Sequence, residues 1–234
     1  IHNYDNMFLY DSFDIKLHSY DGKLIKHLNN GQLSLIKSIS ENEKVLISAP
    51  TSFGKTTLIL EYLVNNVSNL NNVIFVLPTK SLIEELYIKL LRINKEIDFF
   101  QKYNITLNIL RKSGKTIRIL TPEKFLNYYE YNGLYNVDFI VMDEVYKIEN
   151  DGKQIDGSVV DNRSYKFRKA LELISNTNTK VVALSPYTYE KEYSMKKYMS
   201  KYKIIEINRN IKYVYHEYSF SYVYGDNATT FVLV

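Results

Sequence analysis

Short runs of β-branched and aliphatic residues alternate along the chain with longer stretches of helical spacing. The apolar runs predict strands at Val45–Ala49, Asn72–Leu77, Ile117–Thr121, Asp138–Asp143, Lys180–Ser185 and Lys203–Ile207. Most are apolar without a break, the pattern of a strand covered on both faces. Apolar residues recurring at three and four predict helices at Thr56–Val64, Ser81–Ile93, Glu123–Tyr131, Tyr165–Ile174 and Tyr189–Tyr202. This alternation predicts an α/β fold, a mainly parallel sheet with right-handed crossovers and helices on both faces. Ligands of such sheets sit beyond the carboxyl ends of the strands, so the residues that follow each strand carry the chemistry.

After the first predicted strand comes Ala49-Pro50-Thr51-Ser52-Phe53-Gly54-Lys55-Thr56, running directly into the helix that opens Thr57-Leu58-Ile59-Leu60. A strand, a tight loop and a helix in that order are what a phosphate loop needs. Its backbone N–H groups and the positive end of the helix surround phosphate oxygens. Gly54 lets the backbone approach closely, Lys55 reaches the β- and γ-phosphates of a nucleoside triphosphate, and the Thr56 hydroxyl ligates Mg²⁺. The expected nucleotide contacts are therefore Pro50, Thr51, Ser52, Phe53, Gly54, Lys55, Thr56 and Thr57. Ala49 stands where such loops usually begin with glycine.

The run Phe139-Ile140-Val141-Met142 ends in Asp143-Glu144. Two adjacent carboxylates at the end of a buried strand are costly without cationic partners. Mg²⁺ held between Thr56 and Asp143 would supply one, with Glu144 positioning the water that attacks the γ-phosphate. Lys55, Asp143 and Glu144 are the expected catalytic residues.

Composition narrows the alternatives. The 234 residues carry a formal charge of +4, which permits a polyanionic partner without requiring one. With no cysteine there are no disulfides or thiolate metal sites. The four histidines, His2, His18, His27 and His216, have no metal-ligand spacing. Apolar stretches such as Val73–Leu77 are too short to cross a bilayer, and the N-terminus lacks the pattern of a signal peptide. The expectation is a cytoplasmic protein that makes no membrane contact. The chain begins at Ile1, which suggests a piece of something longer.

The order of these motifs resembles that of superfamily 2 helicases of the DExD/H (DEAD/DEAH-like) type, over about Gln32 to Asn208. Ala49–Thr56 resembles their motif I and Asp143-Glu144-Val145-Tyr146 their motif II. Pro78-Thr79-Lys80-Ser81-Leu82 is similar to motif Ia, and Thr121-Pro122-Glu123 to motif Ib. Ser185-Pro186-Tyr187 occupies the place of motif III, and Gln32 lies 17 residues before Ala49, the spacing of the adenine-reading Q motif. The resemblance implies a RecA-like P-loop domain, the first of two in an ATP-driven motor. It implies that Gln32 reads adenine, that Ser185 and Tyr187 couple hydrolysis to movement, and that Pro78, Thr79, Lys80, Thr121, Pro122 and Glu123 grip a nucleic-acid backbone.

Two departures stand out. Motif III of the family is usually Ser-Ala-Thr, and motif II here ends in tyrosine. Val145 and Asp161-Asn162-Arg163 resemble the Asp-Glu-Val-His subgroup. The whole combination is similar to bacterial helicases that include members of phage-defence operons, so a defence-system subunit is a further expected partner.

Residues 1–40 read as a helical lead-in carrying the Gln32 segment, 41–212 as the RecA-like domain, and 213–234 as a hairpin or connector. A second RecA-like domain of the same parent chain is expected as partner, because no second β/α series follows motif III. Lys191–Lys212 carries seven basic residues against Glu192 and Glu206, interleaved with tyrosines. Such a stretch suits a solvated helix face or a nucleic-acid contact. The alternative to a motor is a nucleotide-regulated, nucleic-acid-binding scaffold without unwinding activity. A transport or partitioning ATPase and a small-molecule kinase would each need a motif that the chain does not display.

Overall fold

A computed structural model describes residues 17–18, 24–25, 30–50, 53–96, 103–110, 113–149, 162–186 and 200–207. Two short strands, β1 (Leu17–His18) and β2 (Leu24–Ile25), form an antiparallel pair ahead of helix α1 (Asn30–Glu41). The series β3 (Lys44–Ser48), α2 (Lys55–Asn65), β4 (Asn72–Val76) and α3 (Lys80–Glu96) follows. Next come β5 (Tyr103–Thr106), β6 (Lys115–Leu120), α4 (Pro122–Asn132), β7 (Phe139–Met142) and a 3-10 helix (Val145–Glu149). Helix α5 (Asn162–Ser175), β8 (Lys180–Ser185) and β9 (Lys203–Glu206) complete the order.

Seven strands join in one sheet in the order β5-β6-β4-β7-β8-β3-β9, and every pairing in it is parallel. The continuous apolar runs serve two cores at once. Val45, Ile47, Val73, Phe75, Ile117, Ile119, Phe139, Val141, Val182 and Leu184 face α1, α2 and α3. Their alternating neighbours Leu46, Ile74, Val76, Leu120, Ile140, Met142, Val181 and Ala183 face α4 and α5. Phe75, Phe125 and Phe139 are among the largest fully buried side chains, and each contributes about 2–3 kcal/mol by leaving water.

The six predicted strands all form, within a residue or two at the ends. Strand β5 is an addition, pairing with β6 at the sheet edge. Helix α2 starts one residue early, at Lys55, and α5 three residues early, at Asn162. In the lead-in, the β1–β2 pair stands beside the expected helix. The predicted helix Tyr189–Tyr202 falls mostly, and the segment 213–234 wholly, outside the described residues.

Lysines close the amino-terminal edge of the sheet. Lys180 donates to the carbonyls of Ile39 and Ser40 at the end of α1, and Lys44 to Thr177 O at 2.5 Å. Lys115 donates to Ser68 O at 3.3 Å and Leu70 O at 3.2 Å, just past α2. Cations at helix carboxyl ends satisfy orphan carbonyls and suit the helix dipole. The opposite edge is left for ligands.

Candidate active site

Five strand exits at the carboxyl edge, those of β3, β4, β6, β7 and β8, hold the predicted strand-end residues. Gly54 precedes α2 with φ of 79°, and a Cβ there would meet nothing nearer than Thr57 Cβ at 4.0 Å. The backbone angle, more than space, is what calls for glycine. Phe53 N–H donates to Pro50 O at 3.0 Å, closing the turn, and Ala49 N–H donates to Ser185 O at 3.2 Å, tying the loop to the end of β8. Thr51 and Ser52 lie outside the described residues.

Lys55, the first residue of α2, is 8% exposed. Its Nζ donates to the carbonyl oxygens of Ala49 at 2.5 Å and Pro50 at 3.1 Å. Burial lowers the pKa of this ammonium, while the carboxylates of Asp143 and Glu144 pull it back up. A buried cation satisfied only by loop carbonyls is well placed to exchange them for an anionic ligand.

Sheet order puts β7 two places from β3, with β8 between them. Asp143, at the exit of β7, therefore lies near a phosphate loop far away in the chain. Thr56 and Asp143 line the same cavity of about 40 Å³, with Ile59, Phe75, Leu77 and Val141 among the apolar walls. Burial raises Asp143 to about 6, the chief opposing influence being the backbone N–H of Glu144, which donates to Asp143 Oδ1 at 2.7 Å. Glu144 has φ of 54°, the one non-glycine residue of positive φ among the described residues. Such a conformation costs about 1–3 kcal/mol and concentrates at functional sites. Its carboxylate pairs with Lys147 on the 3-10 helix, whose Nζ lies 6.0 Å from the Tyr146 ring centroid. The Lys147 pairing escaped the sequence reading; its signal was a lysine three residues after Glu144.

A carboxylate raised by burial, lining a small cavity together with a threonine, suits a hard divalent cation. Thr56 and Asp143 would hold Mg²⁺, which would neutralise charge on phosphate oxygens. Without a cation the ionised Asp143 opposes folding. A carboxyl raised from 3.8 to about 6 binds its proton more tightly in the folded state. The free domain therefore loses stability as pH rises through roughly 4 to 6, then levels off. Asp143→Asn should raise the melting temperature at pH 7.5 by several degrees, worth about 2 kcal/mol, while weakening Mg²⁺-dependent ATP binding. A lower melting temperature would contradict this reading of the site.

The other expected contacts stand along the same edge, beyond β4 and β6. Thr79 accepts from Leu82 N–H at 3.3 Å at the start of α3, and Thr121 accepts from Lys124 N–H at 3.3 Å as N-cap of α4. Pro122 occupies the first turn of α4 with Glu123 beside it, a standard helix start. Pro78 is half-buried and Lys80 exposed. Gln32 is half-buried in the first turn of α1, the end of that helix nearer the carboxyl edge. Ser185 is fully buried at the end of β8; Tyr187 lies outside the described residues. The structure thus gathers Lys55, Thr56, Asp143, Glu144 and Ser185 around the β3, β8 and β7 exits. Thr79 and Thr121 stand further along the same edge, at β4, which neighbours β7, and at β6 beyond it. Among the described residues no helix is long and apolar enough to cross a membrane.

Comparison with known proteins bears on the family and the fold. A family model described as DEAD/DEAH box helicase matches residues 29–185. Reverse gyrase 1 of Sulfurisphaera tokodaii is 26% identical over 161 residues, which cover 56% of this chain and 13% of that protein. Among solved structures, the DUF1998 helicase MrfA bound to DNA superposes with a TM-score of 0.58 at 16% identity, covering 85% of this chain and 30% of its own. The DEAD-box helicase Mss116 bound to ssRNA and UDP-BeF gives 0.54 at 20% identity, covering 86% of this chain and 44% of its own. The Hef helicase domain of Pyrococcus furiosus gives 0.51 at 18%, covering 76% and 38%. At these identities the structural likeness establishes the fold. The chain spans less than half the length of each of these relatives.

Proposed function

The chain belongs to the DEAD/DEAH box helicase family, and from that premise we propose that it binds and hydrolyses ATP as the first motor domain of a longer helicase or translocase. One observation carries the reading: Lys55, Thr56, Asp143 and Glu144, from two distant stretches of sequence, converge at the exits of β3 and β7, which β8 alone separates in one parallel sheet. Lys55 binds the phosphates, Gly54 and the amides of α2 cradle them, and Thr56 with Asp143 holds Mg²⁺. Glu144 orients and deprotonates the attacking water. Gln32 reads the adenine edge. Ser185, whose carbonyl is bonded to the phosphate loop, and Tyr187 couple the hydrolytic step to movement.

The β4 and β6 exits form the nucleic-acid grip. The hydroxyls of Thr79 and Thr121 each accept from a helix amide. A hydroxyl that accepts one bond still has its own proton to donate, and a phosphate oxygen, an acceptor at a helix N-terminus, is a matching partner. Pro78, Lys80, Pro122 and Glu123 shape and charge the same two turns. The solved relatives bound to DNA or to ssRNA support a nucleic-acid track. A second RecA-like domain supplies the arginine finger and the other half of the cleft.

The coupling is testable by equilibrium binding. The parent protein should bind a labelled single-stranded oligonucleotide about ten-fold more tightly, or more weakly, with a non-hydrolysable ATP analogue than without it. Equal affinity in both conditions, for DNA and RNA alike, contradicts a motor.

A further inference from the structure

We propose that Arg118 is a positioning residue for the nucleic-acid grip, bracing the loop after β5 against α4; the inference rests on the motor reading above. Arg118 lies on β6 and is 2% exposed. Its face of the sheet is the apolar one that packs on α4 and α5, beside Ile74, Val76 and Leu120. Among the described residues no carboxylate forms an ion pair with it. An uncompensated buried guanidinium is expensive, and an aliphatic side chain would pack there at less cost.

What the arginine provides is reach. Nη1 donates to Thr116 Oγ1 at 2.5 Å, and that hydroxyl bonds Asn72 Oδ1 on β4 at 2.6 Å. Nη2 donates to the carbonyl oxygen of Leu110 at 3.2 Å. The guanidinium carbon lies 5.2 Å from the centroid of the Tyr128 ring on α4, within cation–π range. One planar fork thus joins β6, β4, α4 and the loop, which a lysine could not do with the same geometry.

The loop it holds is part of a larger brace. Lys124 Nζ donates to Leu107 O at 3.2 Å, and Asn132 Nδ2 to Ile109 O at 3.4 Å. The carbonyls of residues 107, 109 and 110 are therefore all held by β6 or α4. The loop, Tyr87 of α3, and Lys124 and Asn127 of α4 line an open groove. Lys124 is also the residue whose amide Thr121 caps. The loop and the start of α4 are thereby fastened into one wall of that groove; Arg118 anchors the far end of the loop in β6, as Thr106 Oγ1 on β5, accepting from Asn108 N–H at 3.1 Å, anchors its start.

The test uses the parent protein with Arg118→Leu, and Arg118→Lys as a variant that keeps the charge. Hydrogen exchange is read over residues 106–110, alongside affinity for a single-stranded oligonucleotide, ATP affinity and melting temperature. The leucine variant should exchange about ten-fold faster in the loop and bind the oligonucleotide about five-fold more weakly. Its ATP affinity should be unchanged and its melting temperature equal or higher. The lysine variant, which also decides the matter should the leucine variant misfold, should shift both readouts the same way by less. Unchanged loop exchange, or faster exchange with unchanged oligonucleotide affinity, overturns the proposal. A wild-type protein that binds no oligonucleotide overturns the motor reading itself, a separate and recognisable failure.

Discussion

Lys55→Ala should weaken ATP binding at least ten-fold and reduce kcat/KM for ATP hydrolysis by about 10²–10³-fold in the parent protein. The ammonium sits 8% exposed at the start of α2, held by the carbonyls of Ala49 and Pro50. No other described cation occupies that turn, so an incoming triphosphate would lose its one charge-assisted contact from the loop. The domain itself should remain folded. Burial already disfavours the charged form of Lys55, so removing the charge relieves a desolvation cost while leaving two carbonyls to water. Melting temperature within a few degrees of wild type, with lost nucleotide affinity, is the expected pair of results. Isothermal titration with ATP and Mg²⁺, beside a thermal melt, checks both at once. Retained affinity would mean that the phosphates bind elsewhere.

Glu144→Gln should separate binding from chemistry. Glutamine preserves the shape and the left-handed backbone of Glu144, φ 54°, but it cannot take a proton from water. General-base catalysis contributes typically ~10²–10⁴-fold, so kcat should fall by about that factor while ATP affinity stays within two- to three-fold. The pairing of Glu144 with Lys147 sharpens the expectation. Charge removal leaves Lys147 without its ion-pair partner, yet that lysine is partly exposed and water can serve it. Stability should change little. Single-turnover kinetics with pre-bound ATP give the chemical step directly, and an unchanged rate would remove Glu144 from the mechanism.

Much of this architecture was legible in the chain, for a definite reason. Strands buried on both faces show as apolar runs, and β3, β4, β7 and β8 are of that kind, with β6 broken only by Arg118 in its middle. Strand β5 is not. Tyr103 and Thr106 are buried while Asn104 is exposed, so Tyr-Asn-Ile-Thr reads as ordinary polar chain. Its place comes from the β6 ladder and from the Tyr103 hydroxyl, which donates to Leu70 O. The start of α5 was misjudged because Asn162-Arg163-Ser164 carries no apolar periodicity.

The phosphate loop could be read because a glycine at φ 79° and a lysine are locally encoded. Sheet order could not. Nothing near Asp143 says that β7 and β8 lie between β4 and β3, yet that order is what brings the carboxylate to Thr56. Lys147 and Arg118 were missed for a related reason. Each is a lone cation whose meaning depends on partners that only the folded chain supplies: the Glu144 carboxylate for one, the Leu110 carbonyl and Tyr128 ring for the other.

The most direct measurement of the central claim is steady-state ATP hydrolysis by the parent protein, alone, with single-stranded DNA and with single-stranded RNA. The site described here predicts hydrolysis that at least one of the two polymers raises several-fold and that Glu144→Gln abolishes. ATP bound at this site with no stimulation by either polymer would contradict a motor and favour a nucleotide-regulated scaffold.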